Sequence, residues 1–207
     1  VDPRTAIDVP GMPVRVFDRA DTATPAVQLL SNGRYHVMLT NAGSGYSRWK
    51  DLAITRWRED AISEPWGMFC YLREVGGGMS WSAAAQPMGR PGERYECTFT
   101  EPRVEYRRRD DGFETFTEIV VSPEDDIELR RVRVTNRTRL RRTLDVTTYA
   151  EVVLAPAIAD ALHPAFSNLF VQTEIVPAQQ AILCVQSGNV PARHHGYPTS
   201  TGHHTDL

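Results

Sequence analysis

Residues Phe113 to Val121 alternate with a period of two: Phe113, Thr115, Thr117, Ile119 and Val121 fall on one side, and Glu114, Phe116, Glu118 and Val120 on the other. A helix would bring together residues three and four apart, so this period predicts a β-strand. Both sides carry apolar residues, so the strand is expected to be covered on both. Just before it, Asp111-Gly112 predicts a two-residue type I′ turn back onto Val104 to Arg109, because both turn positions need positive φ and Asp-Gly tolerates it. In Ile127 to Thr135 the apolar phase moves from Ile127 and Leu129 to Val132 and Val134, and a bulge near Arg130-Arg131 would account for the change.

The same punctuation recurs at Asn32-Gly33, Gly43-Ser44-Gly45, Gly76-Gly77-Gly78 and Pro91-Gly92. Between these turns, further strands fit Tyr35 to Thr40, Leu52 to Trp57, Met68 to Leu72, Tyr95 to Thr100, Leu144 to Val153, Leu169 to Ile175 and Ala181 to Gln186. A short helical turn fits Ala157 to Leu162. With no amphipathic helix of ordinary length between the strands, the expected class is all-β, an antiparallel sandwich. Residues 1–26 carry Pro3, Pro10, Pro13 and Pro25 without a sustained period and read as a linker or surface arm. Residues 27–186 read as the sandwich, and residues 187–207, where apolar alternation stops, as an irregular tail.

Composition narrows the function classes. The 207 residues hold 23 Lys+Arg against 26 Asp+Glu, a net charge of -3, with 41% hydrophobic residues, which fits an ordinary folded domain and excludes disorder. The densest basic stretch, Arg103 to Arg142, has nearly as many carboxylates as arginines, so no nucleic-acid partner is expected. The longest apolar run, Val152 to Ala159, is too short for a membrane span. Three cysteines, Cys70, Cys97 and Cys184, form no C-x-x-C pair and suggest a reducing, cytoplasmic setting. The first residues show no secretory leader, and the chain beginning at Val1 suggests an excised or processed segment.

The informative side chains concentrate in Ser31 to Asp60. Gly43-Ser44-Gly45 lets the backbone approach another surface closely. Tyr46 and Trp49 follow it, and then Arg56, Trp57, Arg58, Glu59 and Asp60. Aromatic faces beside guanidinium and carboxylate groups suit a sugar, whose C–H faces stack on π surfaces while planar polar groups bond paired hydroxyls. The competing reading is a core aromatic beside a solvated guanidinium. Ser122-Pro123-Glu124-Asp125-Asp126 groups three carboxylates but lacks calcium-loop spacing and reads as a solvated turn. Glu101, Glu105, Glu114 and Glu118 are candidate paired carboxylates, but their interleaving with arginine reads as cross-strand ion pairs. His194-His195 and His203-His204 lack companions at ligand spacing, so no metal is expected. No nucleophile signature of the G-x-S-x-G kind occurs, and no catalytic set can be assembled.

Several long stretches carry a resemblance: SNGRYHVMLTNAGSGYSRWKDLAITRWRED at Ser31 to Asp60, WGMFCYLRE at Trp66 to Glu74, WSAAAQP at Trp81 to Pro87, SPEDDIELRRVRVTNRT at Ser122 to Thr138, and YAEVVLAP with HPAFSNLFVQTE beyond. They resemble the phosphorylase-like module of cyclic β-1,2-glucan synthases, in glycoside hydrolase family 94 with the cellobiose and chitobiose phosphorylases. The likeness runs from about Leu29 to Leu183 and fades after Cys184. It implies an N-terminal antiparallel β super-sandwich, followed in the parent protein by a linker and an (α/α)6 barrel that holds the catalytic acid. The reaction class it implies is inverting phosphorolysis of a β-glucosidic bond, with inorganic phosphate as co-substrate and no other cofactor.

By the same resemblance, this chain is expected to be a non-catalytic domain contacting a β-1,2-glucan oligosaccharide. The loop Gly43 to Tyr46 and the segment Thr55 to Asp60 would lie towards the sugar site and a homodimer contact. The parent protein would be cytoplasmic or tethered at the inner membrane. Two alternatives stay open: a freestanding lectin-like sugar-binding protein, and an aldose-epimerase-like enzyme with a His/Glu pair in its cleft.

Overall fold

A computed structural model of the chain describes residues 4–6, 13–59, 64–187, 199–200 and 205–206. In chain order the first strands are β1 (Arg4–Ala6), β2 (Val14–Phe17), β3 (Val27–Ser31), β4 (Tyr35–Thr40), β5 (Gly45–Trp49), β6 (Leu52–Thr55), β7 (Met68–Glu74), β8 (Ser80–Ser82) and β9 (Arg94–Phe99). Then come β10 (Arg103–Asp110), β11 (Phe113–Val121), β12 (Glu128–Asn136), β13 (Thr143–Ala150) and β14 (Val152–Pro156). Two short helices follow, α1 (Ala157–Leu162) and α2 (Pro164–Phe170), and then β15 (Val171–Val176), β16 (Ala181–Gln186), β17 (Thr199–Ser200) and β18 (Thr205–Asp206).

All strand pairings among the described residues are antiparallel. One layer is the six-stranded sheet β1-β2-β9-β10-β11-β12. Against it pack a five-stranded sheet, β14-β6-β5-β4-β3, and a four-stranded sheet, β18-β13-β7-β8. The contact with the five-stranded sheet buries Leu30, Tyr35, Val37 and Leu39 on Phe99, Val104, Tyr106 and Ile119. The contact with the four-stranded sheet buries Leu72, Trp81 and Leu144 around Phe113, and the Trp81 ring stacks on Phe113 at 5.4 Å. The molecule is therefore an all-β antiparallel sandwich. No helix among the described residues is long and apolar enough to cross a membrane.

The period of two in β11 is realised as read: Phe113, Thr115, Thr117 and Ile119 are buried while the residues between them are partly exposed. Register pairs Asp110 with Phe113, which leaves Asp111-Gly112 as the turn, with φ of 43° and 80°. On the outer face the glutamates are tied to arginines, Arg103 to Glu105 at 2.8 Å, Arg131 to Glu118 at 2.5 Å and Arg137 to Glu114 at 2.6 Å. These carboxylates serve the sheet surface.

Four expectations are corrected. There is no bulge at Arg130-Arg131, because β12 pairs with β11 in unbroken register from Glu128 to Asn136. Instead Leu129 points outward, 55% exposed, and Arg130 takes the inward position. It is held there by the neighbouring Glu128 carboxylate and by the Met68 carbonyl oxygen, which accepts from Nη1 at 2.6 Å. Leu144 to Val153 is two strands in two sheets, β13 paired with β7 and β14 with β6. The stretch read as a strand from Leu169 starts within α2, whose Pro164 sits in its first turn. Finally, residues 1–26 are more than an arm: β2 pairs with β9, and Phe17 is buried edge-on against Phe99 at 5.2 Å. In the tail, β17 pairs with β16 and β18 with β13.

Candidate carbohydrate-contacting face

The five-stranded sheet turns one face to the core and the other outward, and cross-strand register sets what the outer face carries. Leu29, Met38 and Tyr46 form one row, and Ser31, His36, Arg48 and Ala53 the next. Part of this face is closed by α1, through a cluster of Ala53, Val153 and Ala155 with Ala157 against it. Another part is bounded by residues 64–67, which are pinned to the glycine loop. Gly45 donates its N–H to the Trp66 carbonyl at 2.9 Å, Thr40 donates its hydroxyl to Glu64 Oε2 at 2.8 Å, and the Ser44 hydroxyl donates to the Glu64 carbonyl at 2.5 Å. Glu64 has a φ of 38°, so this short segment is held in a conformation that a free chain would leave.

The two glycines explain why the loop can be so close. A Cβ on Gly45 would stand 1.9 Å from the Met38 carbonyl oxygen, and one on Gly43 would stand 2.3 Å from Ala84 Cβ. The close approach expected of Gly43-Ser44-Gly45 is thus an internal one, onto β4 and the segment after β8.

On this scaffold Tyr46 and Trp57 meet edge to face at 5.9 Å. Arg48 lies over the Tyr46 ring at 4.9 Å, and Arg58 lies 6.0 Å from the Trp66 ring. Neither Arg48 nor Arg58 has a carboxylate within ion-pair distance among the described residues; Arg58 is exposed and Arg48 half-buried. Half-buried aromatic edges beside open guanidinium groups can stack a pyranose C–H face and bond vicinal hydroxyls. Glu59 is exposed, and Asp60 lies outside the described residues.

Two of the expected site residues stand apart from that face. Trp49 is three residues from Tyr46 on one strand and therefore points to the opposite side, where it packs on the core cluster and donates its indole N–H to Asp126 Oδ2 at 2.6 Å. Together with Arg34, that indole holds the Asp126 carboxyl below its usual range and ties down the Ser122–Asp126 turn. Arg56 is 4% exposed, and each of its three guanidinium nitrogens donates a hydrogen bond. It donates to Asp160 at 3.0 and 2.7 Å, to Glu151, to the Pro164 carbonyl at 3.1 Å and to Asn168 Oδ1 at 2.9 Å. Its work is to fasten β6 to α1 and α2.

Sequence reasoning missed Arg48 and Trp66. Arg48 was legible, since it follows Tyr46 by two on a strand and must share its face. Trp66 reaches the site through the Gly45–Trp66 hydrogen bond, which local pattern does not announce. Among the described residues no three His, Cys, Asp or Glu side chains gather in a metal-binding group. His194, His195, His203 and His204 lie outside the described residues. His36 bonds Ser31 Oγ at 2.7 Å, and no His–carboxylate pair is formed among the described residues.

Comparison with known families matches residues 11–203 to the glycosyl hydrolase 94 supersandwich domain. The chain belongs to that family. This supersandwich domain is also 40% identical over 162 residues to the cyclic β-(1,2)-glucan synthase NdvB of Rhizobium meliloti (strain 1021). The match covers 78% of the chain and only 6% of the synthase, so the domain corresponds to a small part of a far longer enzyme.

Proposed function

We propose that this supersandwich domain is a non-catalytic, carbohydrate-contacting part of a family 94 enzyme acting on β-1,2-glucan. The observation that carries the reading is the Tyr46–Trp57 edge contact flanked by the guanidinium groups of Arg48 and Arg58, which form no ion pair among the described residues, on a sheet face otherwise closed by α1 and residues 64–67. The likeness to a cyclic β-(1,2)-glucan synthase supplies the class of glucan. The catalytic acid and the phosphate pocket belong, in this reading, to a downstream (α/α)6 barrel, with inorganic phosphate as co-substrate.

With half of a composite site, β-1,2-gluco-oligosaccharides should bind the chain with a Kd near ~1 mM, about -4 kcal/mol. Calorimetric or fluorescence titration checks this. Trp57→Ala and Arg58→Ala should each abolish the signal, and the Arg58 variant should do so with only a small loss of Tm, because Arg58 is exposed and supports the fold only through its charge near Asp160. Full retention of binding in both variants refutes this face as the contact.

A second expectation concerns chemistry. Incubated with β-1,2-gluco-oligosaccharide and phosphate, the pure chain should release no glucose 1-phosphate above a protein-free blank. Turnover would overturn the non-catalytic reading.

A further inference from the structure

Between the six-stranded sheet and the start of β7 lies a cleft of about 70 Å³, walled by Phe69, Ala83, Ile119 and Val132 and reached by Thr117 and Arg130. Thr117 is 5% exposed, and its hydroxyl has no hydrogen-bond partner among the described residues. Buried hydroxyls are paired in the great majority of proteins, so an orphan facing a cavity points to an occupant. Arg130 is the diagonal neighbour of Thr117 on the same face, because register pairs Thr117 with Val132 and Ile119 with Arg130. Its Nε donates to Glu128 and its Nη1 to the Met68 carbonyl, which leaves Nη2 without a hydrogen bond among the described residues.

The chemistry of the lining selects the class of occupant. The Arg130 charge is already matched by Glu128, whose side chain is 4% exposed, so no anion is called for. The lining is mainly apolar, with Gln86 and Thr148 also on it, and the space of about 70 Å³ is too small for a large guest. What fits is small, neutral and able both to donate and to accept. A single water needs only ~10–15 Å³ of such space, and Thr117 and Arg130, diagonal neighbours on one face of the sheet, both line the cleft.

We propose that this cleft is a fixed-water site, in which water hydrogen-bonds Thr117 Oγ1 and Arg130 Nη2 and joins the inner face of the β11–β12 hairpin to the strand that begins just after Trp66 and Gly67. A high-resolution crystal structure of the full chain, with Thr117→Ser and Thr117→Val alongside, tests it. Ordered water density within hydrogen-bond distance of the Thr117 hydroxyl is expected, kept in Thr117→Ser and lost or displaced in Thr117→Val. The Thr117→Val variant should melt about 2–4 °C lower, as for the loss of one hydrogen bond in a domain of this size. A dry cleft, or a Thr117→Val variant that melts at the same or a higher temperature, overturns the proposal, because deleting an unpaired buried hydroxyl is neutral or stabilising.

Discussion

Replacing Arg56 by alanine is expected to lower the unfolding free energy by about 3–5 kcal/mol, the range for breaking a buried ion pair from one side. At roughly 2–4 °C per kcal/mol, Tm should fall by roughly 6–20 °C. The cause lies less in what Arg56 gains than in what its loss leaves behind. Asp160, 5% exposed, and the partly buried Glu151 would keep their charge with no guanidinium opposite, and α1 and α2 would lose their polar tie to β6. Arg56→Met, which restores volume without charge, should recover little of the loss.

The sign of the pH dependence follows from Asp160. Burial pushes its carboxyl up, but hydrogen bonds from Arg56 and Ser167, with the charges of Arg56 and Arg58, outweigh that and leave it below its ordinary value. A lowered carboxyl stabilises the fold above its unfolded pKa of about 3.9, and that contribution is lost as pH falls through the lower native value. The Tm gap between wild type and Arg56→Ala should therefore be full at neutral pH and shrink in acid below about pH 4. Thermal melts across pH check both statements, and a loss under about 1 kcal/mol at pH 7 would reduce Arg56 to an ordinary surface arginine.

The second large effect is expected at Gly45. An alanine there would put its Cβ 1.9 Å from the Met38 carbonyl oxygen and 3.2 Å from Leu39 Cα, both in the backbone of the adjacent strand, so no side chain can rotate away. The cost should reach or exceed ~3 kcal/mol, the upper end for overpacking. It should also detach Trp66 from the loop by breaking the Gly45–Trp66 hydrogen bond. Gly33→Ala makes the contrast: Gly33 has a φ of 89° with open space around it, so its penalty is conformational only, about 1–2 kcal/mol. Chemical denaturation of the two variants separates close approach from backbone strain, and equal losses would contradict the assignment.

How much of this was legible depends on whether the cause was local. The strand Phe113–Val121, the Asp111-Gly112 turn and the helix Ala157–Leu162 follow from neighbouring residues, and the structure keeps them. Gly43 and Gly45 announced a close approach, but the surfaces they approach were not visible in the sequence. Trp49 could have been separated from Tyr46 by strand parity alone. Arg56 could not have been assigned, because its carboxylate partners lie 95 and 104 residues further along the chain. Arg130 misled in another way. An inward arginine neutralised by Glu128 mimics, in a hydrophobic pattern, the phase change of a bulge.

The four tryptophans allow the most direct test of the carbohydrate-contacting face. In an NMR titration with β-1,2-gluco-oligosaccharide, the indole N–H signals of Trp57 and Trp66 should shift progressively. The indole N–H of Trp49, bonded to Asp126, and that of Trp81, fully buried and bonded to Thr115, should stay in place. Four unmoved signals at saturating sugar, or shifts confined to Trp49 and Trp81, would contradict the account.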